Sequence, residues 1–290
     1  MFDIRYHISS LVAVFLALGI GILIGSTIIG DDLLINEQRQ MIDRLEQDFV
    51  SLRKQIKSAQ EELAFKRHMV GLYEQFAQEF FPVFARGRLE GRTYAIIKTG
   101  KGGSLEPLLI NLESTGARIE SVTTIKSDLN LKEIAALMPG PELIAGVHNA
   151  SQLSACLATA IAKAIHQGEG TEVVQFLQSI NKIKITGNIG KNIDAVILIG
   201  GSAMEKDNSF RTLDLPLINY FKDQKIRVIG TEYSNAGFSY IKLFQRQGLT
   251  TVDNVDTIPG LTALVMALAG EEGHFGIKST AERLLPVAVQ

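Results

Sequence analysis

The chain has one cysteine in 290 residues, Cys156. An internal disulfide is therefore excluded, and so is any zinc site that needs two thiolates from one chain. It also lacks an excess of charge: 29 Lys and Arg stand against 31 Asp and Glu, a net charge of −2. No bulk positive field attracts nucleic acid, and no nucleic-acid partner is expected. Prolines number only 7 and charged residues make up 21%, a balance that argues against wholesale disorder. Catalytic signatures are missing too. No G-x-S-x-G or paired-carboxylate motif occurs, and His68, His148, His166 and His274 show no spacing that pairs them with a carboxylate. The expectation is that the chain is not an enzyme.

What is present is apolar residue, at 46% of the chain and a mean hydropathy of +0.15, slightly high for a soluble protein. The excess is localised. From Ile8 to Ile29 the sequence ISSLVAVFLALGIGILIGSTII carries no charge over 22 residues, close to the roughly 20 that a helix needs to cross a bilayer core. A transmembrane helix within an N-terminal segment 1–30 is expected. The alternative is a cleavable signal peptide, but its apolar region runs about 7–15 residues behind a basic start, and here only Arg5 and His7 precede a longer stretch. Arg5 lies before the span and Asp31 and Asp32 after it, which favours an inside N-terminus by the positive-inside rule. The protein is then a single-pass protein of the cytoplasmic membrane with its C-terminal domain extracytoplasmic. Ala13, Ala17, Gly21 and Gly25 recur every fourth residue and form one small-residue stripe, the pattern that lets two membrane helices approach closely.

Residues 31–84 read as a coiled-coil stalk. Apolar residues alternate at steps of three and four through charged, glutamine-rich sequence. Heptad position a falls on Ile35, Ile42, Phe49, Ile56, Leu63, Val70 and Ala77; position d falls on Gln38, Leu45, Leu52, Ala59, Lys66, Tyr73 and Phe80. The phase holds for about 46 residues, roughly 70 Å of helix. Isoleucine at a with leucine at d favours two strands, so a parallel homodimer is expected through the small-residue stripe and the seam. An antiparallel hairpin, or packing of this helix onto the C-terminal domain, is the alternative. Gly71 is a weak point costing about 1 kcal/mol relative to alanine, and the helix is expected to end near Pro82.

Residues 85–290 alternate short apolar runs with helical patterns. Thr93–Thr99, Arg118–Ile125, Ala195–Gly200 and Ile226–Gly230 read as strands. Helices are expected near Leu105–Ser114, Asp128–Leu137, Ser151–His166, Glu172–Ile180, Thr212–Lys222, Ser234–Gln247 and Gly260–Ala269. This order predicts an α/β fold with a largely parallel sheet. Glycine turns follow two strands. Gly100, Gly102, Gly103 and Ser104 have the strand–glycine–helix order of an anion-binding turn but neither full phosphate-loop spacing, and Gly200-Gly201-Ser202 is shorter; tight turns use glycine whatever they bind. For a metal, His148, Cys156 and His166 are the densest grouping of soft ligands. On one helix Cys156 and His166 lie about 80° and nearly three turns apart, so one ion would need other segments to join them. No cofactor is evident from the residues alone.

The whole arrangement resembles the MctB-like family, named for copper transport at bacterial envelopes and including the SteB-type cell-separation proteins. The opening Arg5-Tyr6-His7-Ile8-Ser9-Ser10-Leu11-Val12-Ala13-Val14-Phe15-Leu16-Ala17-Leu18-Gly19-Ile20-Gly21 carries it, closed by Gly25-Ser26. So does the tail: Asp253-Asn254-Val255-Asp256-Thr257-Ile258-Pro259-Gly260 before an alanine-rich helix, then Gly273-His274-Phe275-Gly276-Ile277-Lys278 and Leu284-Leu285-Pro286. The resemblance implies a single-pass envelope protein with a role in copper transport or homeostasis, with copper as the metal concerned and no ligand set to carry over. Its SteB-like branch implies a non-enzymatic coiled-coil scaffold for an envelope or cell-separation partner.

Overall fold

The computed structural model describes residues 4–100, 102–126, 131–138, 149–204 and 209–286, without the side chains of 27–34 and 131–133. The chain divides into two compact units, Met1–Tyr73 and Glu74–Gln290.

One helix, α1, runs from Ile4 to Ala85. Its first part, Ile4–Ser26, is apolar and long enough to cross a membrane, with a hydropathy of 2.5 and none of that window buried within the protein. After it come Glu, Gln, Lys, Arg, Leu and Ala, all strong helix formers, supported by exposed i,i+4 pairs between Lys66 and Glu62 at 2.7 Å and between Gln75 and Glu79 at 2.9 Å. Each such pair adds only a few tenths of a kcal/mol. The helix is unbroken at Gly71, so a hairpin within this segment is ruled out. It also passes the expected stop. Pro82 lies in the last turn, where it removes one ladder donor, and its own carbonyl still accepts the amide of Arg86 at 3.2 Å. Packing explains the extra turn: Phe81 and Ala85, on either side of the proline, are fully buried in the second unit's core.

That second unit is built on a seven-stranded sheet in the order β3-β2-β1-β4-β5-β6-β7. The strands are β1 (Thr93–Lys98), β2 (Arg118–Ile125), β3 (Ile183–Gly187), β4 (Ala195–Gly200), β5 (Arg227–Glu232), β6 (Thr250–Val252) and β7 (His274–Phe275). All neighbours are parallel except β2 and β3. Strand β4, Ala-Val-Ile-Leu-Ile-Gly, is buried at every position, because both faces of the sheet are covered. Val196 and Leu198 join one core cluster; Ala195, Ile197 and Ile199 join the other. The first cluster takes α4 (Ala150–Gln167), α5 (Thr171–Ser179), α6 (Leu215–Asp223) and α7 (Ile241–Arg246), with α3 (Leu131–Leu137) contributing Ile134. The second takes the end of α1 together with α2 (Glu106–Ser114) and α8 (Ile258–Ala269). Helices on both faces of a mostly parallel sheet make a doubly wound α/β fold.

The expected strands are all present, and β3, β6 and β7 are additional. One expected helix is not formed as predicted: within Ser234–Gln247 only Ile241–Arg246 is helical. Long-range ties hold the first half extended or turned. The backbone and hydroxyl of Ser234 donate to Asp256 at 2.7 and 2.6 Å, and Phe238 exchanges backbone hydrogen bonds with Ser202. The helix expected near Thr212–Lys222 begins instead as a π-turn over Phe210–Asp214 before α6. Residues 128–130 of the helix expected over Asp128–Leu137 lie outside the described residues.

Candidate functional site

In the Met1–Tyr73 unit the notable surface is the seam. Ile35, Ile42, Leu45, Phe49, Leu52, Ile56, Leu63 and Val70 are all exposed, with Ile42 and Phe49 each at 61%. A row of large apolar side chains in water is costly, and such surfaces mark binding faces. Along the apolar segment, a Cβ placed on Gly21 or Gly25 would meet nothing within 4 Å, and Ala13 and Ala17 are exposed on the same helix. The stripe is an open, small-residue face.

In the α/β unit, a doubly wound sheet sets its crevice where the crossovers diverge, here between the carboxyl ends of β1 and β4. The two glycine turns meet there. A Cβ on Gly100 would collide with the carbonyl of Gly200, so Gly100 is glycine because two backbones touch, and a Cβ on Gly200 would press on the Phe244 and Tyr240 rings. Gly100, Gly103 and Ser104 of the first turn are bound within the protein. The Gly100 amide donates to Ile199 O at 3.0 Å, and the Gly103 carbonyl accepts Lys98 Nζ at 2.6 Å. Ser104 Oγ accepts the Glu106 amide at 3.2 Å, and Ser104 O accepts the Tyr233 hydroxyl at 3.2 Å. Gly102 has a φ of +93°, and Gly103, at +59°, lies flat against the Tyr233 ring. A cleft of about 160 Å³ remains between this turn, Tyr233, Val255 and Asp256, below the roughly 300 Å³ at which ligand pockets begin. Lys98 sits 5.3 Å above the Tyr233 ring. Burial lowers its pKa, and burial, with Asp256 adding, pushes the Tyr233 phenol up to about 12.

The metal candidates do not converge. Cys156 and His166 both lie on α4 and are partly buried. Ten residues separate them, about 15 Å of rise. His166 Nδ1 is 3.3 Å from the Tyr220 hydroxyl, with the rings edge to face at 6.1 Å. His148 lies outside the described residues. Among the described residues no three His, Cys, Asp or Glu side chains gather as a metal group would require.

A charged cluster that the sequence pattern does not announce sits at the carboxyl ends of β5 and β6. Glu232 and Asp253 are fully buried. Glu232 accepts the Ser239 hydroxyl at 2.6 Å and the Tyr240 amide at 2.8 Å, and it pairs with Lys278. Asp253 accepts the amides of Ile277 and Lys278, both at 2.8 Å. Gly276, at φ +142°, leaves no room for a side chain beside the Asp253 carboxylate. The rest of the tail motif is equally committed. Asp256 anchors Ser234, and Thr257 caps α8 by accepting the Gly260 amide at 3.1 Å. The motif that carries the family resemblance thus closes the sheet's end by clasping the segment after β7. Only the residue types were visible in sequence; the partners that join this cluster to the tail, Asp253 with Ile277 and Lys278 and Glu232 with Lys278, lie 24 or more positions away.

A doubly wound α/β unit that follows one long helix, with the start of that helix apolar enough to enter a bilayer, defines a class of helix-anchored globular proteins. Residues 1–286 match the family described as copper transport outer membrane protein, MctB, and the chain belongs to that family. No curated protein matches the chain. Family and apolar helix together fit a membrane protein related to copper transport at the envelope.

Proposed function

We propose that the chain is a non-enzymatic, single-pass protein of the cytoplasmic membrane that serves copper transport or homeostasis at the cell envelope, with copper as cargo. The family match over residues 1–286 carries this reading. The N-terminus lies inside and the α/β unit on the outer side, consistent with Arg5 before the span and Asp31 and Asp32 after it. A helical anchor suits the cytoplasmic membrane, since integral proteins of bacterial outer membranes span as closed barrels. The test is cellular copper content and copper tolerance with the chain deleted and restored. A change reversed by the wild-type chain supports the reading, and unaltered copper handling overturns it. Titration of the full-length chain in detergent with Cu(I), alongside a Cys156→Ala/His166→Ala variant, separates direct binding by these residues from a role exerted through partners.

A second reading is favoured by the exposed seam. Here the stalk pairs as a parallel homodimeric coiled coil and works as a scaffold for an envelope or cell-separation partner. Glutamate at Ile42, Leu45, Ile56 and Leu63 then abolishes dimerisation and partner capture while the α/β unit stays folded. Retained function in a monomeric variant of this kind would remove the stalk as the working part.

A further inference from the structure

The flanks of the seam carry a pattern of charge that the apolar positions alone do not require. In the heptad phase set by Ile42, Phe49, Ile56 and Leu63, position g is Met41, Asp48, Gln55, Glu62, Met69 and Phe76, and position e is Arg39, Glu46, Arg53, Gln60, Arg67 and Glu74. In a parallel two-stranded coil, each g side chain lies beside the e side chain five residues further along the other helix. With the copies in register, Asp48 faces the second copy's Arg53, Gln55 faces Gln60, and Glu62 faces Arg67. Symmetry doubles each pair. A slip of one heptad one way sets Asp48 against Gln60 and Glu62 against Glu74; the other way sets Asp48 against Glu46 and Glu62 against Gln60. Of the unshifted and one-heptad-shifted parallel registers, only the unshifted one places both Asp48 and Glu62 against an arginine, and both shifted ones create a carboxylate–carboxylate contact. An antiparallel pair sets g against g and e against e; with the stalks fully overlapped this brings Arg39 to Glu74 and Glu46 to Arg67, so the flank charges do not set direction, which follows from the apolar segment that both copies carry ahead of the stalk.

The helix itself leaves three of the four charged groups in the in-register pairs without an ion pair among the described residues, and Glu62 is shared with Lys66. Asp48, Arg53 and Arg67 have no ion pair among the described residues; the stalk's ion pairs are Lys57 with Glu61 and Lys66 with Glu62. The second of these also disposes of the one cation in the seam. Lys66 stands at position d, and Glu62, at 2.7 Å on the same helix, neutralises it from the flank.

We propose that the exposed stalk face docks a second copy of this chain, parallel and in register, and that the reciprocal Asp48–Arg53 and Glu62–Arg67 pairs select that register. This rests on the homodimer reading above and adds to it what sets the alignment of the two copies. The test uses full-length chains in membranes with Cys156→Ala to clear the native thiol and Leu45→Cys at a d position, treated with a short bismaleimide. Leu45→Cys should cross-link to itself, and should cross-link far less with a chain bearing Leu52→Cys, one heptad or about 10 Å away along the axis. Adding Arg53→Glu and Arg67→Glu turns all four pairs repulsive. The concentration for half-maximal cross-linking should then rise on the order of a hundredfold. A chain with Asp48→Arg and Glu62→Arg should fail in the same way alone. Mixed together, the two chains should cross-link again, since every pair between them is attractive. Absence of any Leu45→Cys cross-link in the parent would overturn the dimer itself. Parent-like cross-linking of the Arg53→Glu/Arg67→Glu chain, equal linkage of 45 to 52, or failure of the mixture to recover would overturn the charge-set register while leaving the dimer standing.

Discussion

Replacing Lys278 with methionine tests whether the buried cluster at the carboxyl ends of β5 and β6 holds the tail to the sheet. Glu232 has no exposed surface, and the Lys278 side chain is 22% exposed. Removing the ammonium leaves a buried carboxylate with its two neutral donors, Ser239 and Tyr240, and without a counter-charge. Breaking a fully buried pair costs about 3–5 kcal/mol. The partial exposure of the lysine and the two remaining hydrogen bonds place the expected cost at about 2–3 kcal/mol. The chain has two units, so a single global unfolding free energy is ill-defined, and a local readout is needed. Hydrogen exchange of the amides that close the clasp, those of Ile277, Lys278 and Tyr240, should quicken about 30- to 150-fold, at tenfold for each 1.4 kcal/mol. Adding Glu232→Gln removes the stranded charge, keeps an oxygen for the Tyr240 amide, and should recover most of the protection. Exchange within about threefold of wild type in the single variant, or no recovery in the double variant, would refute the clasp.

Three other outcomes rest on the same unit. Burial holds the Tyr94 phenol up to about 12, against a usual 10.0. The folded chain keeps that proton where the unfolded chain has lost it, so this contribution is intact below pH 10 and is lost as pH rises toward 12. Tyr94→Phe should therefore gain on wild type in thermal scans taken at pH 8 and at pH 11, by up to about 2–3 kcal/mol across the full window; an unchanged difference contradicts it. Gly103→Ala should lower the melting temperature more than Gly102→Ala, since both carry the strain of positive φ, about 1–3 kcal/mol, and only Gly103 presses on the Tyr233 ring; equal losses would show that the ring contact is unimportant. Arg227 donates to Ala267 O at 2.8 Å and Glu271 O at 2.7 Å beyond the end of α8. Arg227→Met should cost about 2 kcal/mol and speed exchange over the last turn of that helix, and unaltered exchange there would refute the cap.

Strands such as β4 were legible because a short, wholly apolar run is what burial on both faces demands. The long helix was legible because its a and d positions keep one phase without a break. Of the three added strands, β6 has three residues and β7 two, too few for any alternation to show, and each exists because a neighbouring strand offers it a ladder; β3 has five, and its Ile183-Lys184-Ile185 alternation is a signal the sequence does offer. The stretch Ser234–Tyr240 carries a helical pattern yet is pinned by Asp256 and Ser202, partners that no local window includes. At the glycine turns the sequence favours a tight turn over an anion cradle, because neither phosphate-loop spacing is complete. The structure supplies a packing reason for Gly100 and Gly103 that spacing could not reveal, because the colliding groups, Gly200 and the Tyr233 ring, lie about a hundred residues away or more.

By itself the sequence determined the apolar segment, the phase and charge order of the stalk, and the α/β character of residues 85–290, since each depends on residue type and on spacing within a few turns of helix or one strand. Only the tertiary structure decided the strand order, the contact of the two glycine turns at the ends of β1 and β4, the pairing of His166 with Tyr220, and the burial of Glu232 and Asp253 around the tail. Those outcomes depend on which distant segments come to share a low-dielectric interior, where a carboxylate must find its donors or stay in water, and no local pattern records that choice.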